Sequence, residues 1–396
     1  MLTYKVPFPP NSGYPIVVYN TLKGLLLHDV DVTLFSINTS KNHVDIDDIN
    51  DPVYDAIEFH AHDIDTETNL WDMMMNVFTN QSYNVSRYFD EDAAKLLENI
   101  LREHEFDVIQ FEGLFVVPYL DIVKAHSNAK LIYRAHNIVF DIWERLSYNE
   151  RFTPRRKYLE FLARRLKSYE TDQINRFHQI LAISEQDRQS ILRFGCQTNL
   201  EVLPVALDLS KYPITPLRNT VPTLFHLGAM DFNPNKEGLE WFLYEIWPDI
   251  EKLNSELRFY IAGKHMPQQF FDYDSDNVLV EGEIIDAVEF INSKAIMIVP
   301  LLSGSGMRVK IIEGMAMRKC IIATTRAAEG IFCQHGRDIL IADTADEFYR
   351  SILQCITNPE RIAEIGENAR KNAEKHYDIQ VLSERMLKIY WQLINA

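Results

Sequence analysis

Cysteine is scarce. The four present (Cys196, Cys320, Cys333 and Cys355) are scattered over 396 residues with no Cys-x-x-Cys pair, which argues against a disulfide framework or a zinc site and for a reducing compartment. Long apolar runs are lacking too. None approaches the roughly 18–20 residues that span a bilayer, and the amino terminus, MLTYKVPFPP, has no signal-peptide core. A soluble, cytoplasmic protein is therefore expected, attached at most peripherally to the inner face of the plasma membrane. Positive charge is in deficit: 40 Lys and Arg against 57 Asp and Glu leave a formal charge of −17. That speaks against a general nucleic-acid binder, because neutralising phosphates needs a basic face. Three signatures are also missing, namely a GxxxxGK[ST] loop, a GxSxG elbow and a GxGxxG after a strand. There is no internal repeat and no low-complexity tract.

What remains is an ordinary globular composition, 46% hydrophobic and 24% charged. The chain is longer than one core usually grows, so two domains of roughly 200 residues are expected. From about residue 223, short β-branched runs alternate with helical periodicity. The strand candidates are TLFHLG (223–228), LRFYIAG (257–263), VLVEG (278–282), AIMIVPL (295–301), CIIATT (320–325) and ILIA (339–342), with helices at 236–253 and from about Ser305. The first half is noisier, but VDVTLFSI (30–37), DVIQFE (107–112), KLIYRAH (130–136) and QILAIS (179–184) read the same way. Near-continuous apolar strands separated by helices predict an α/β protein of two Rossmann-like, doubly wound domains. Segment 205–222, with three prolines in DLSKYPITPLRNTVPT, reads as a linker. The domains are thus 1–205 and 206–378. Asn358-Pro359 reads as an N-cap followed by proline at the first helical position. Apolar residues at 382, 386, 389 and 393 predict a terminal amphipathic helix, about 379–396, that packs back on the N-terminal domain. Two such domains facing each other make a cleft at the carboxyl ends of their strands, where ligands of these sheets bind.

The loops that follow strands are therefore where chemistry is sought. In PLLSGSGMRVKIIEGMAM (300–317), Gly304 and Gly306 let backbone turn tightly and approach a ligand. The helix N-terminus behind them suits an anion; Arg308 can grip phosphate oxygens bidentately and Lys310 adds a point charge. Glu313, one turn on, is suited to hydroxyl groups lying beyond the phosphates. The plainer reading is a surface helix with a Lys–Glu pair at i, i+3. HLGAMDFNPNKEG (226–238) offers a second cradle, with a strand ending at Gly228 and a helix starting near Lys236. PPNSGYP (9–15) places Gly13 before a helix opened by Pro15. Both can equally be plain turns. In IYRAHNIVFDIW (132–143), His136 ends a strand, as a donor to developing charge, an acid/base, or a structural histidine. DYDSDN (272–277) lacks the ligand spacing of a calcium loop and reads as a solvated turn.

Together these stretches carry a resemblance. GSGMRVKIIEGMAMRKCIIATTRAAEGI (304–331) resembles the donor-binding motif of family 4 retaining glycosyltransferases, which have the GT-B fold. PFPPNSGYP, the AHN after a strand, HLGAMDFNPNKEGLEWF and ENARKNAEKHYD are similar to that family in the same order, so the likeness spans essentially the whole chain. It implies a metal-independent, hexosyltransferase-type enzyme without cofactor, moving a sugar from a nucleoside-diphosphate sugar to a saccharide or lipid-linked acceptor in cell-surface polysaccharide or glycolipid synthesis. The implied catalytic set is His136, Arg308 and Lys310. The implied donor-binding set is Gly13, Gly228, Lys236, Gly304, Ser305, Gly306, Met307, Glu313 and Glu329, with no metal ligand. Within it Glu313 would hold a ribose, Lys236 the diphosphate and Gly13 the sugar and phosphates, while His136 would lie near the transferred sugar. Three positions depart from the pattern: Ser305 stands where the first motif glutamate is expected, Ala229 replaces an arginine, and Arg308 replaces a frequent glycine. Arg308 and Lys310 would restore the charge lost at Ala229. Two other readings stay open, a nucleotide-sugar epimerase of the same fold and a non-catalytic GT-B-like binding protein.

Charge is unevenly spread. Residues 29–72 hold twelve carboxylates and one lysine, whereas 151–170 hold seven basic and two acidic residues among tyrosine, phenylalanine and leucine. The basic stretch reads either as a peripheral membrane contact or as a solvated helix with snorkelling arginines.

Overall fold

The structure is a computed structural model and describes residues 1–11, 13–66, 83–150, 152–214, 222–253, 256–304 and 306–396. It comprises two units, Met1–Ala206 with Leu382–Ala396, and Leu207–Val381.

In the first unit, β1 (Leu2–Thr3), β2 (Thr33–Thr39), β3 (Glu58–Ile64), β4 (Val108–Glu112), β5 (Lys130–Ala135), β6 (Gln179–Ala182) and β7 (Asn199–Val202) form one sheet in the order β3-β2-β1-β4-β5-β6-β7. Every pairing is parallel. The inner strands are short apolar runs buried on both faces, as parallel sheets covered by helices require; Phe35, Phe111, Leu131 and Ile180 are almost wholly inaccessible. β3 and β7 are not legible in the sequence. Each is an edge strand, and EFHAHDI and NLEV carry polar residues that a doubly covered strand would not tolerate.

The second unit holds β8 (Leu224–Leu227), β9 (Phe259–Ala262), β10 (Val278–Gly282), β11 (Ile296–Val299), β12 (Cys320–Ala323) and β13 (Leu340–Ile341), all parallel in the order β10-β9-β8-β11-β12-β13. In both units the order reverses beside the first strand. The switch points fall at β1/β4 and β8/β11, and loops leaving those strands make the crevice in which such sheets bind ligands.

Several expectations need correction. The helix expected from Lys236 begins three residues earlier and runs Asn233–Trp241, because Pro234 serves as an early helical residue whose missing N–H costs nothing there. It continues through a π turn, Phe242–Ile246, into Trp247–Leu253. Pro248 lies just beyond that turn, where the ladder must absorb a missing donor. Gly13 does not precede its helix but starts it, Gly13–Leu26. Asn358 stands at the N-cap of helix Pro359–His376, yet its side chain makes no capping bond. The supposed linker is packed at its start. Leu207 and Leu209 are buried, and Leu207 donates to the Tyr377 carbonyl and accepts from the Ile379 amide; residues 215–221 lie outside the described residues. In helix Ile379–Ile394, Leu382, Met386 and Ile389 are buried and Leu393 is half-exposed. Within the first unit its Tyr390 hydroxyl donates to Gln110 Oε1 at 2.6 Å.

Candidate active site

In the second unit the loops after β8 and β11 are pressed together. A Cβ on Gly238 would stand 2.4 Å from the Pro300 carbonyl oxygen, a separation that real Cβ atoms do not adopt. Ser303 Oγ donates to Glu237 Oε2 at 2.7 Å across the same seam. Gly304 and Gly306 take φ of +96° and +84°, values that strain any residue with a side chain. The chain then enters helix Val309–Ala316, with Arg308 at its N-cap rather than inside it. The helix expected near Ser305 therefore starts four residues later, because the left-handed glycines cannot be helical.

Lys310 fastens the two loops. Its Nζ donates to the Leu227 carbonyl at 3.0 Å and to Asn235 Oδ1 at 2.8 Å. Burial of the ammonium, and then the Arg308 charge, lower its pKa to about 7, against a weaker upward pull from Glu313. Arg308 is buried and folds back on its own loop, its Nη1 donating to the Gly306 carbonyl. Glu313 Oε1 accepts from the Tyr212 hydroxyl at 2.9 Å. Burial pushes the Glu313 carboxyl up, while the Tyr212 bond and Lys310 pull it down. Lys310 and Glu313 thus have partners on other elements, which sets aside the plain i, i+3 surface pair. Beneath them His226 is fully buried in β8 with Nδ1 2.9 Å from the Ile298 carbonyl. Burial, then Lys310, drive its pKa to about 3, so it is a neutral imidazole donating from Nδ1.

Gly228, Gly304, Gly306, Arg308, Lys310 and Glu313 are thereby gathered at one switch point. Lys236 is half-buried in the first turns of helix Asn233–Trp241, and Met307 is half-buried between Gly306 and Arg308. Glu329 lies after β12 and accepts from Arg326 Nη1 at 2.9 Å. Ser305 lies outside the described residues. Chemically, this is a cradle of backbone and cations for an anion, with a carboxylate one turn further that can take hydroxyl protons.

The first unit carries a second cluster, after β4 and β5. His136 Nε2 meets Glu112 Oε2, and Glu112 is wholly inaccessible. Burial alone would push the Glu112 carboxyl up; Arg134, the His136 bond and Gln110 outweigh it and hold the group below its ordinary range. Burial lowers the His136 pKa in spite of Glu112. A neutral imidazole beside a carboxylate must donate from Nε2, which leaves a lone pair on Nδ1. The Tyr14 ring packs 4.8 Å from the imidazole, and its hydroxyl donates to the Glu112 carbonyl at 3.1 Å. Gly13 is exposed, and a Cβ there would meet nothing within 4 Å. The fold itself makes no demand for glycine at that position.

Glu112, Tyr212 and Asn235 belong to these clusters and escaped the reading of the sequence. Glu112 had a signal, since Gln110 and Glu112 alternate on one face of an otherwise apolar strand. Tyr212 sits in a stretch without periodicity, and Asn235 is one of three asparagine and proline neighbours that open a helix; nothing local marks either.

The family model described as Glycosyltransferase Family 4 matches residues 12–211, about half of the chain, and that described as Glycosyl transferases group 1 matches 221–358. An uncharacterised 44.6 kDa protein in the cps region of Klebsiella pneumoniae is 22% identical over 303 residues, covering 74% of this chain and 76% of that one. Among solved structures, sucrose-phosphate synthase of Thermosynechococcus elongatus superposes with a TM-score of 0.71 at 13% identity, covering 100% of this chain and 98% of that one. HepE of Anabaena in complex with UDP gives 0.66 at 10% identity, covering 99% of each. Two parallel α/β units with these neighbours have the GT-B fold, and the ordered matches to both halves say what the chain is: a member of glycosyltransferase family 4, a retaining glycosyltransferase.

Proposed function

We propose that the Leu207–Val381 unit binds a nucleoside-diphosphate sugar and that the Met1–Ala206 unit serves the acceptor and the transferred sugar. The observation that carries this reading is the Lys310–Glu313 pair of sites at the β8/β11 switch point. Lys310, Arg308, Lys236 and the N-terminus of helix Val309–Ala316 meet the diphosphate, and Glu313, steadied by Tyr212, accepts from a ribose diol. Gly228, Gly304, Gly306 and Met307 supply the backbone wall, with Glu329 on the sugar side. Gly13, free of any packing demand, leaves room for a ligand to approach backbone. Cleavage of the sugar–phosphate bond builds negative charge on the departing diphosphate, which the chain's own cations offset without a metal or cofactor. A diphosphate oxygen takes the acceptor proton, as suits retention. His136, with its Nδ1 lone pair, accepts from a sugar hydroxyl and orients the ring.

HepE of Anabaena was solved with UDP-glucose, and trehalose-6-phosphate synthase of E. coli with UDP-2-fluoro glucose. A UDP-sugar is therefore the first donor to try. Thermal denaturation against a panel of UDP-, GDP- and ADP-sugars tests the reading. The right donor at about 100 times its Kd stabilises by about 2.7 kcal/mol, and a flat panel rejects it.

The cps-region relative favours a saccharide or lipid-linked acceptor for polysaccharide synthesis, made at the cytoplasmic side of the membrane. No helix among the described residues is long and apolar enough to cross a bilayer. Segment 151–170 lies mostly in helix Thr153–Ile174, which follows helix Val139–Asn149 in a hairpin. Leu162, Ala163 and Leu166 face the core. The exposed apolar residues gather at the tip instead, where Tyr148 and Phe152 are 89% and 65% accessible beside exposed Arg155, Arg156 and Lys157. That tip is the proposed membrane contact, each cation near an anionic leaflet being worth about 1 kcal/mol. Sedimentation with vesicles of phosphatidylcholine and phosphatidylglycerol should show binding that rises with the anionic fraction and falls for Tyr148→Ser/Phe152→Ser. Binding that ignores lipid charge ends the idea.

A further inference from the structure

We infer that Tyr390, on the last helix, and Gln110, on β4, are positioning residues that set the tautomer of His136 through Glu112. The relay runs through four side chains. Tyr390 Oη donates to Gln110 Oε1 at 2.6 Å, Gln110 Nε2 donates to Glu112 Oε1, and Glu112 Oε2 accepts from His136 Nε2. Gln110, Glu112, His136 and Tyr390 are 1%, 0%, 9% and 8% accessible, so water is a poor substitute for any partner.

The chemistry of an amide gives the relay its direction. Gln110 has an acceptor end and a donor end, and only the donor end is compatible with a carboxylate. A hydroxyl that donates to Oε1 fixes which end faces Glu112. Burial, then Glu112, raise the Tyr390 phenol far above its ordinary value, so it remains a proton donor. Without that hydroxyl Oε1 is buried without its donor, and the amide that donates to Glu112 Oε1 is no longer held at its other end. Glu112 stays ionised, Arg134 being the strongest of the groups that keep it so, but its carboxylate is then free to turn away from Nε2. His136, released from that acceptor, shares its proton between Nε2 and Nδ1. The Nδ1 lone pair proposed to receive a sugar hydroxyl is partly lost, although no residue near the sugar has changed. Helix Ile379–Ile394 thus acts on the imidazole from the far end of the sheet. Gln110 and Tyr390 line a cavity of about 890 Å³ that also touches Met1, Thr33, Glu58 and Val108, at or just before the first residues of β1, β2, β3 and β4, whereas His136 follows the last residue of β5.

The inference rests on the proposed role of His136 only for its effect on turnover, and the experiment separates the two. Full-length protein labelled with ¹⁵N-histidine gives the ring tautomer directly from two-bond ¹H–¹⁵N spectra without ligand, His136→Gln identifying the signal. Wild type should show Nε2–H alone near neutral pH, whereas Tyr390→Phe and Gln110→Met should each show a share of Nδ1–H beside it. The Tyr390→Phe/Gln110→Met double variant should match Gln110→Met, because the two act in series. With UDP-glucose, or whichever sugar of the panel stabilises the chain, kcat for Tyr390→Phe should fall about tenfold, the lower end for residues that orient a working histidine. Donor KM should stay within about twofold, as expected when ground-state binding is untouched. An unchanged His136 spectrum in folded Tyr390→Phe overturns the inference and leaves Tyr390 a packing residue. If His136→Ala turns over like wild type while the tautomer shift is present, the relay stands and the sugar-orienting role falls.

Discussion

Lys310→Ala lowers transfer about 10²–10³-fold at saturating donor, the range for removing one preorganised donor to a developing anion, about 2.7–4 kcal/mol of barrier. The geometry explains why a single lysine carries so much. Its ammonium is held by Leu227 and Asn235 before any ligand arrives, so no reorganisation is needed as charge develops. Arg308→Ala is the companion variant. Since the guanidinium also braces the Gly306 carbonyl, its loss should raise donor KM as well as lower kcat. The pH dependence is distinctive. With a pKa near 7, Lys310 is largely neutral in the free protein at pH 8, and a bound diphosphate must draw a proton onto it. Donor affinity should therefore weaken as pH rises above about 7, by up to tenfold per unit, and this limb should vanish in Lys310→Ala. Stability runs the other way. The folded pKa lies below the ordinary 10.5, the unfolded chain binds more protons between those values, and stability rises with pH across that window. Steady-state kinetics from pH 6 to 9 decide the matter; full turnover in Lys310→Ala rejects the phosphate role.

Glu112→Ala should cost about 3–5 kcal/mol of stability, the penalty for stripping the partner from a buried charge. Arg134 is only 1% accessible and bonded to Thr21 Oγ1 and the Pro204 carbonyl, two neutral acceptors. Without Glu112 its charge has no buried counterpart among these contacts, and Gln110 and His136 lose an acceptor too. For a unit of this size the melting point moves roughly 2–4 °C per kcal/mol, so a large drop is expected. Glu112→Gln keeps the volume and should cost less. The sign with pH follows from the depressed carboxyl. Its stabilisation is present above the unfolded value, near 4.5, and is lost as pH falls through the folded one. Wild type should therefore lose stability below pH 4.5 more steeply than Glu112→Gln. Parallel pH curves for the two would mean that Glu112 is not the ionised partner of Arg134.

The fold was legible where burial on both faces forces apolar strands. AIMIVPL and CIIATT could be little else, and they are β11 and β12. It was not legible at the edges, where β3 mixes Glu58, His60, His62 and Asp63 among its apolar residues. The loops of the proposed donor cradle could be read because glycine, lysine and glutamate follow one another closely behind a strand, and Gly304, Gly306, Lys310 and Glu313 do cluster. Their partners could not. Tyr212 reaches Glu313 across 101 residues, and Tyr390 reaches Gln110 across 280; no local period encodes such a meeting. At Arg308 the charge was legible and the side chain's course was not: its Nη1 donates to the Gly306 carbonyl, which the left-handed turn brings within reach.

Gly238 works as a gauge. With helix and loop backbone meeting at the place where a Cβ would stand, the gap between the segments that follow β8 and β11 is set by the absence of a single methyl group. Everything that depends on that gap, from the Ser303–Glu237 bond to the reach of Lys310 onto Leu227, inherits its tolerance from a residue that carries no chemistry. Selection for affinity at this site can therefore act on spacing as well as on charge. A family sharing these loops could change how tightly it holds a donor without exchanging one ligand-touching side chain.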